Sequence, residues 1–211
     1  MRIEADEVTF AIGGHEIVHS ASLVCLPGAM TALVGPSGSG KTTLLHCLGL
    51  LLAPTSGRVL IDDVDTTGWT SRQRRRFWQD HAAFVLQEYG VIEDESVAFN
   101  VTMAKTIFGF GIAGDHRRMR SALSMTGLEG RERELAGHLS GGEKRRLSIA
   151  RAIYKSAHVI FADEPTASLD DDNRANVIEL FASLARRGCV VVVATHDAEM
   201  IAACDVEYSL H

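Results

Sequence analysis

The sequence has few cysteines and no long hydrophobic run. Its four cysteines are scattered over 211 residues with no C-x-x-C pair, a pattern that favours buried free thiols in a reducing compartment over a disulfide framework. No apolar run approaches the roughly 20 residues that a membrane-spanning helix needs. The first ten residues are acidic and lack the apolar segment of a secretory signal. We therefore expect a cytoplasmic protein.

An excess of positive charge is also missing. The chain carries 21 Lys and Arg against 27 Asp and Glu, a net charge of −6, so no overall field draws it to nucleic acid or anionic lipid. One predicted helix, 70–80, nevertheless contains Arg72, Arg74, Arg75 and Arg76. This run indicates either a nucleic-acid or lipid-headgroup contact or a solvated helix face. The negative balance favours the solvated face, and we expect no nucleic-acid partner.

The most informative stretch is a glycine-rich turn between a strand pattern and a helix pattern. Residues 29–34 predict a buried strand, and apolar residues recur at helical spacing over 44–48. Glycine N–H groups and a helix N-terminus can surround phosphates, while Lys41 reaches the terminal phosphates and Thr42 places its hydroxyl on Mg²⁺. A turn that binds nothing is the disfavoured alternative, so we expect a nucleoside triphosphate at G-x-x-x-x-G-K-[S/T] and its flanking residue: Gly35, Pro36, Ser37, Gly38, Ser39, Gly40, Lys41, Thr42 and Thr43.

Two carboxylates follow another short apolar segment. Residues 159–162 predict a buried strand that ends in Asp163 and Glu164. Asp163 can bind the Mg²⁺ that Thr42 also contacts, and Glu164 can orient or deprotonate the attacking water. Alone, such a pair is more often a strand-end turn that caps the next helix. Beside a P-loop it favours phosphoryl transfer, which depends mainly on positioning and charge neutralisation.

A second candidate phosphate site is formed by Leu139, Ser140, Gly141, Gly142 and Glu143. Ser140 and Glu143 match a capping box, so the stretch also fits an ordinary helix start. A helix N-terminus with two glycines and a serine is equally a phosphate-binding site. One chain with one P-loop would not bind the same γ-phosphate twice. The second site is therefore predicted to serve the nucleotide of a neighbouring subunit.

The pattern of predicted elements divides the chain into a core and an insertion. Alternating residues before the P-loop and over 57–65 predict an antiparallel β layer, and short apolar segments elsewhere predict strands of a parallel sheet. Between 88 and 157 apolar residues come at helical spacing. We expect one α/β P-loop NTPase domain, 1–211, in which 1–87 and 158–211 form the core with its antiparallel β subdomain. The α-helical subdomain would be 88–157.

Five features stand in the order and approximate spacing of ATP-binding cassette (ABC) ATPases. They are the P-loop, Gln87, the LSGGE of 139–143, the FADEPTASLD of 161–170, and His196. The chain resembles that family over essentially its whole length. The resemblance implies a RecA-like core and an ATPase that forms a homodimer around ATP and Mg²⁺. It also implies a separately encoded integral membrane permease as partner, with the chain at the cytoplasmic face of the cell membrane.

The resemblance also implies residue roles. Gln87 is similar to the glutamine that contacts Mg²⁺ and water and links the helical subdomain to the membrane partner, and 140–143 to the signature that closes on the opposite protomer's ATP. Asp170 resembles a residue of the loop that crosses the dimer interface, and it also fits a helix N-cap. His196 resembles the switch histidine that contacts the γ-phosphate, although a lone histidine at a strand end is more often incidental.

Two places depart from the family pattern. Ile12 stands where the family usually stacks an aromatic ring on adenine, so it offers packing without a π-face and leaves the ATP-versus-GTP preference open. The triplet of 144–146, Lys-Arg-Arg, follows the signature where glutamines are commoner. We interpret the triplet as surface variation.

Within the family, residues 49–65 resemble the lipoprotein-release and macrolide-exporter ATPases, and 88–96 resemble ATPases of bacteriocin exporters. The acidic residues of 93–95 are expected either to face basic permease residues or to form a solvated turn. An alternative function is a nucleotide-gated regulatory module in which ATP binding rather than turnover is the switch. An ABC ATPase acting on DNA or the ribosome is disfavoured, since a second cassette, a coiled-coil insertion and a basic stripe are missing.

Overall fold

The described part of the chain forms two β-sheets with helices packed against them. The computed structural model describes residues 1–86, 88, 90–106 and 111–210. The strands are β1 (Ile3–Ile12), β2 (His15–Cys25), β3 (Met30–Val34), β4 (Ser56–Ile61), β5 (Val64–Asp65), β6 (Ala82–Val85), β7 (Val159–Asp163), β8 (Val190–Ala194) and β9 (Val206–Ser209). The helices are α1 (Lys41–Leu48), α2 (Ser71–Asp80), α3 (Val97–Thr102), α4 (His116–Met125), α5 (Gly141–Lys155), α6 (Asp171–Arg186) and α7 (Ala198–Ala202), with a short 3₁₀ helix at Ala136–His138.

One sheet is antiparallel and the other is parallel. The antiparallel sheet has the strand order β2-β1-β4-β5, and the parallel sheet has the order β6-β7-β8-β3-β9. Every residue of β3, β7 and β8 is buried, as parallel strands covered on both faces require. The buried parallel strands and the antiparallel layer that the sequence predicted are thereby confirmed.

The parallel sheet separates two hydrophobic clusters. On one face, Leu44 and Leu48 of α1 belong to the same cluster as Phe161 of β7, together with side chains of the antiparallel sheet. On the other face, Ile149 of α5 and Phe181 of α6 share a cluster with alternate residues of β7 and β8. Successive residues of a strand point to opposite faces, so each apolar strand supplies both clusters.

Helix α5 belongs to two clusters at once. Its Ile149 and Ala152 pack with the parallel sheet, while Leu147 and Ala150 pack with α3 and α4 in a third cluster. The helical spacing seen in the sequence after residue 88 is thus matched by helices in the described residues. Because one rigid helix contributes to both groups, the position of α3 and α4 is tied to the sheet.

Helix α2 begins as its sequence predicts. The Thr70 side chain accepts a hydrogen bond from Gln73 N, and the Gln73 side chain accepts one from Thr70 N, which completes a capping box. Phe77 is buried, whereas Arg72, Arg75 and Arg76 are exposed. These three arginines therefore lie on a solvated helix face, whereas Arg74 is half-buried.

The cysteines are free thiols, as expected. Cys25, Cys47 and Cys189 are buried and Cys204 is half-buried. Burial raises the pKa of each thiol to about 12, which keeps it protonated and unreactive near neutral pH. Among the described residues, no helix has the length and apolar composition that crossing a membrane requires.

The antiparallel pairing of β1 with β4 depends on Gly57, which lies where the register of the two strands shifts. Its φ is +74°, and a Cβ there would overlap the carbonyl oxygen of Glu7. Gly57→Ala is therefore expected to lower the free energy of unfolding by about 2–4 kcal/mol, from backbone strain plus overpacking. The measurement is urea denaturation, with Gly68→Ala as control because Gly68 has open space around its α-carbon. Equal stability of the two variants would contradict a close approach of Gly57 to the main chain of β1.

Candidate functional site

A cavity opens where the carboxyl ends of β3, β7 and β8 meet. The P-loop follows β3, Asp163 and Glu164 lie at the end of β7, and Thr195 and His196 follow β8. In open α/β sheets, ligands bind outside the carboxyl ends of the strands. The cavity has a volume of ≈ 780 Å³ and is lined by Ile17, Gly35, Pro36, Ser37, Gly38, Gly40, Lys41, Thr42, Thr43, Glu164 and His196.

The P-loop takes a conformation that requires glycine. Gly40 has φ +88°, and a Cβ there would lie 2.5 Å from the carbonyl oxygen of Ile17. Helix α1 starts directly after it at Lys41, so the free N–H groups of its first turn lie at the cavity wall. The partial positive charge of the helix N-terminus favours an anion at that wall. Ser39, the P-loop residue outside the lining, has a buried Oγ without a hydrogen-bond partner among the described residues.

Lys41 brings a charge to the cavity. Its side chain is largely buried, and its Nζ donates to the carbonyl oxygens of Gly35 at 2.8 Å and Pro36 at 2.9 Å. Both acceptors belong to the P-loop itself. The ammonium is therefore positioned within the loop that is predicted to surround phosphates.

Thr42 and Asp163 form the candidate metal site. Thr42 Oγ1 donates to Asp163 Oδ1 at 3.0 Å, and Asp163 is only 7% exposed. Burial raises the pKa of Asp163, an effect that the Thr42 hydrogen bond opposes. A hydroxyl and a carboxylate supply the oxygen ligands that Mg²⁺ prefers. Mg²⁺ commonly takes its other ligands from water and substrate phosphates. The pair therefore fits a magnesium ion.

Glu164 and His196 are brought into contact. His196 Nδ1 lies 2.8 Å from Glu164 Oε1, and Thr195 Oγ1 donates to Glu164 Oε2 at 3.2 Å. The main chain of Glu164 has φ +44°, and its N–H donates to the carbonyl oxygen of Ala194 at 2.9 Å. A non-glycine residue in this region carries strain that the surroundings must offset, and such residues cluster at active sites. Each carboxylate oxygen of Glu164 thus has a partner at the end of β8.

Thr195 is a site residue that sequence reasoning missed. It has a polar side chain but is fully buried, and it directly follows the entirely apolar strand β8. Its hydroxyl also accepts a hydrogen bond from Asp197 N at 3.1 Å, so one side chain connects Glu164 with the start of α7. The sequence feature that could have identified Thr195 is a hydroxyl residue directly before His196.

Two predicted contacts stay predictions. Gln87 lies outside the described residues. Ile12 lies at the end of β1 and is 61% exposed, and the isoleucine that lines the cavity is Ile17. Stacking or packing of Ile12 on a base is therefore untested.

The signature stretch lies at the N-terminus of α5. Ser140 is its N-cap, with Ser140 N donating to Glu143 Oε2 at 2.8 Å and Glu143 N to Ser140 Oγ at 3.3 Å. Leu139 and Gly142 are buried, while Ser140 and Gly141 are exposed. The stretch is thus a capped helix start, and its residues do not line the P-loop cavity.

Asp170 also caps a helix. Its Oδ1 accepts a hydrogen bond from Asn173 N at 2.8 Å at the start of α6. Hydrogen bonds from the backbone and side chain of Asn173 lower the pKa of Asp170. The N-cap role is therefore present, and a role across a dimer interface is a separate prediction.

The interpretation of the triplet 144–146 as surface variation is wrong. Arg145 is 1% exposed, because α5 packs against both the sheet and the other helices. Arg146 Nε donates to Thr126 O at 3.0 Å, and Lys144 Nζ lies 2.5 Å from Glu93 Oε1. Each of the three cations therefore lies against another part of the chain.

The acidic stretch 93–95 is partly neutralised within the chain. Glu93 pairs with Lys144, and Glu95 pairs with Lys105 at 2.5 Å. Asp94 is exposed. Two of the three carboxylates thus have cationic partners within the chain.

Comparison with known proteins identifies similar chains. A family model described as ABC transporter matches residues 18–167. An uncharacterized ABC transporter ATP-binding protein of Mycobacterium tuberculosis is 37% identical over 200 residues, which cover 94% of this chain and 61% of that protein. The lipoprotein-releasing system ATP-binding protein LolD of Bordetella pertussis is 37% identical over 191 residues, covering 90% of this chain and 83% of LolD. The chain thus spans less than two thirds of the mycobacterial relative.

A similar solved structure is the dimeric ABC transporter cassette MJ0796, described as bacterial. It has a TM-score of 0.86 and 30% identity, with 99% of this chain and 94% of that chain covered. A second dimeric structure of that cassette, a post-hydrolysis state bound to ADP and Pi, has a TM-score of 0.85 and 29% identity. The predicted α/β P-loop fold and the resemblance to the lipoprotein-release group are confirmed.

Thr195 is expected to support hydrolysis through Glu164. Thr195→Val removes the hydroxyl that donates to Glu164 Oε2, so the rate of ATP hydrolysis should fall about tenfold. Thr195→Ser keeps the hydroxyl and is the control, with turnover expected near that of the wild type. Steady-state ATPase assays on variants of matched stability measure the difference, and a Val variant as active as the Ser variant would contradict the role.

Proposed function

Because the chain belongs to the ABC transporter family, as an ATP-binding cassette and ATPase, we propose that it is the subunit that drives a separately encoded membrane permease in export. The observation that carries the proposal is a cavity that joins the P-loop to Glu164 and His196, with Thr42, which donates to Asp163, at its wall. A module that only holds nucleotide has no need of a carboxylate positioned beside the phosphate site. The cavity therefore favours turnover.

Each functional residue of the cavity has a separate role in hydrolysis. Lys41 and the first N–H groups of α1 bind the phosphates, and Glu164 orients the attacking water and accepts its proton. His196, which pairs with Glu164 and lines the same cavity as the P-loop, would contact the γ-phosphate. Mg²⁺ bound by Thr42 and Asp163, with Gln87, would neutralise phosphate charge. Most of the rate enhancement then comes from positioning and electrostatics.

A second copy of the chain would complete each site. Ser140 and Gly141 are exposed at the N-terminus of a 15-residue helix, away from the lining of the chain's own cavity. They are available to the ATP of a partner, which the helix dipole and free N–H groups would favour. The dimeric state of the similar cassette MJ0796 supports this arrangement. Asp170 would then lie near the same interface.

The permease contact is assigned to the segment after Gln87. Family membership supports a membrane partner and a position at the cytoplasmic face of the membrane. Within 93–95, exposed Asp94 is the carboxylate best placed for a basic permease residue, since Glu93 and Glu95 have internal partners. A bacteriocin-type cargo rests on the resemblance of this segment alone.

The first experiment is the mass in solution of Glu164→Gln. Removing the carboxylate should trap bound ATP, so the variant is expected to shift from 22.9 kDa to about twice that mass with Mg-ATP and to stay monomeric without it. Light scattering after size-exclusion chromatography gives the mass, and GTP is tested in parallel because Ile12 replaces an aromatic ring.

Two further variants make the result specific. In the Glu164→Gln background, Gly141→Asp places a negative charge at the signature and is expected to block dimerisation while ATP binding stays unchanged. Lys41→Ala is expected to weaken binding itself. A chain that binds ATP, remains monomeric and does not dimerise with its permease present would overturn the shared-site proposal.

A further inference from the structure

Among the described residues, Arg145 is the largest that the fold buries almost completely. It lies on the second turn of α5 and is 1% exposed, where a solvated surface cation was expected. An arginine buried to this degree needs hydrogen-bond acceptors for its guanidinium, because desolvating the charge is costly. The guanidinium of Arg145 must therefore have hydrogen-bond acceptors within the chain.

Two backbone carbonyls accept from Arg145. Its Nη1 donates to the carbonyl oxygen of Leu86, and its Nη2 donates to that of Glu164 at 3.3 Å. The acceptors are 59 and 19 residues away in sequence. The planar guanidinium presents its donors in a fixed fork, so it can join two carbonyls at a defined separation.

Both carbonyls lie at the carboxyl edge of the parallel sheet. Leu86 directly follows β6, and Glu164 directly follows the neighbouring strand β7. Leu86 also precedes Gln87, which the family resemblance places at the nucleotide. The helix that carries Arg145 begins with the signature. One side chain thus joins three segments that ATP hydrolysis is proposed to use.

The contact reaches Glu164 at a strained point. With φ +44°, the main chain of Glu164 is in a region that non-glycine residues avoid, so neighbouring bonds must offset the strain. The Glu164 N–H donates to Ala194 O at 2.9 Å, on the β8 side, and Arg145 donates to its carbonyl from the α5 side. The backbone of Glu164 is therefore fixed from both sides.

We propose that Arg145 is a positioning residue for ATP hydrolysis, which fixes the main chain of Glu164 and of Leu86 so that the Glu164 carboxylate meets the attacking water. The proposal rests on the proposed function, since it acts through Glu164. It does not require Arg145 to touch nucleotide. A displacement of a catalytic group by about 1 Å can cost on the order of 100-fold in rate.

The test is steady-state ATP hydrolysis by Arg145→Met, which keeps an unbranched apolar stem and removes every donor. We expect kcat to fall about 10- to 100-fold while KM for ATP changes less than about threefold, because the P-loop that binds phosphate is untouched. Rates are expressed per nucleotide-binding site, measured by titration with ATP. Unfolded protein then cannot imitate a catalytic loss.

The matched control is Lys155→Met, at the other end of the same helix. Lys155 Nζ donates to the carbonyl oxygens of Trp78 and Ala82, the latter at 2.6 Å, and Ala82 begins the strand that Leu86 follows. This variant removes a partly buried cation from carbonyls at the opposite edge of the sheet. Its stability is expected to fall while kcat per site stays near that of the wild type.

A double variant separates positioning from a general structural role. If Arg145 acts through Glu164, Arg145→Met should add no further loss to Glu164→Gln, so the double variant should turn over at the rate of Glu164→Gln. A further several-fold loss would overturn the proposal, as would wild-type kcat in Arg145→Met. If wild type itself fails to hydrolyse ATP or Glu164→Gln remains fully active, the proposed function fails instead.

A second substitution covers the case in which Arg145→Met does not fold. Arg145→Lys keeps the charge and most of the stem but loses the planar fork, so kcat should fall several-fold with KM unchanged. Wild-type kcat in the lysine variant would show that a buried charge suffices. That result would overturn the two-carbonyl bridge.

Discussion

The parallel pairing of β7, β8 and β3 is the constraint from which the site follows. In the ladder, Asp163 lies beside Ala194, and Ala194 beside Leu33, so β7 and β8 end level with each other and β3 ends one residue further on, at Val34. Whatever residue comes next on each strand must then lie at the same edge of the sheet. Glu164 and Thr195 directly follow β7 and β8, and the P-loop begins at Gly35 directly after β3, so a slip of one position in any strand would disturb their arrangement.

The same pairing explains why α5 matters to the site. Strands buried on both faces need helices on both faces, and α5 covers one of them while it also packs with α3 and α4. Its orientation is therefore set by the core rather than by its capping box. The orientation of α5 fixes the positions of the signature at its start and of Arg145 on its second turn. Packing far from the cavity thus decides where both of them lie.

Sequence alone predicted the parts of the site that depend on local pattern. The P-loop, Asp163 and Glu164 are recognisable because strand, turn and helix signals flank them within a few residues. Arg145 and Thr195 were not recognised, since their partners lie 19 to 59 residues away and only the tertiary fold brings those carbonyls and carboxylates to them. Whether a basic residue on a helix that packs on two sides is buried or exposed depends on tertiary contacts. The spacing of residues along the sequence does not encode those contacts.

The groups assigned to catalysis already have protein partners. Lys41 donates to two carbonyls of its own loop, and the Glu164 carboxylate meets both Thr195 and His196. A phosphate that uses Lys41, or a water that uses Glu164, must therefore exchange one of these contacts rather than meet a free charge. Exchange of one hydrogen bond for another costs little, whereas leaving a buried charge unpaired costs a great deal. Of the two side chains in the described residues that contact the Glu164 carboxylate, His196 is largely exposed and Thr195 is fully buried, so the His196 contact is the easier of the two to exchange.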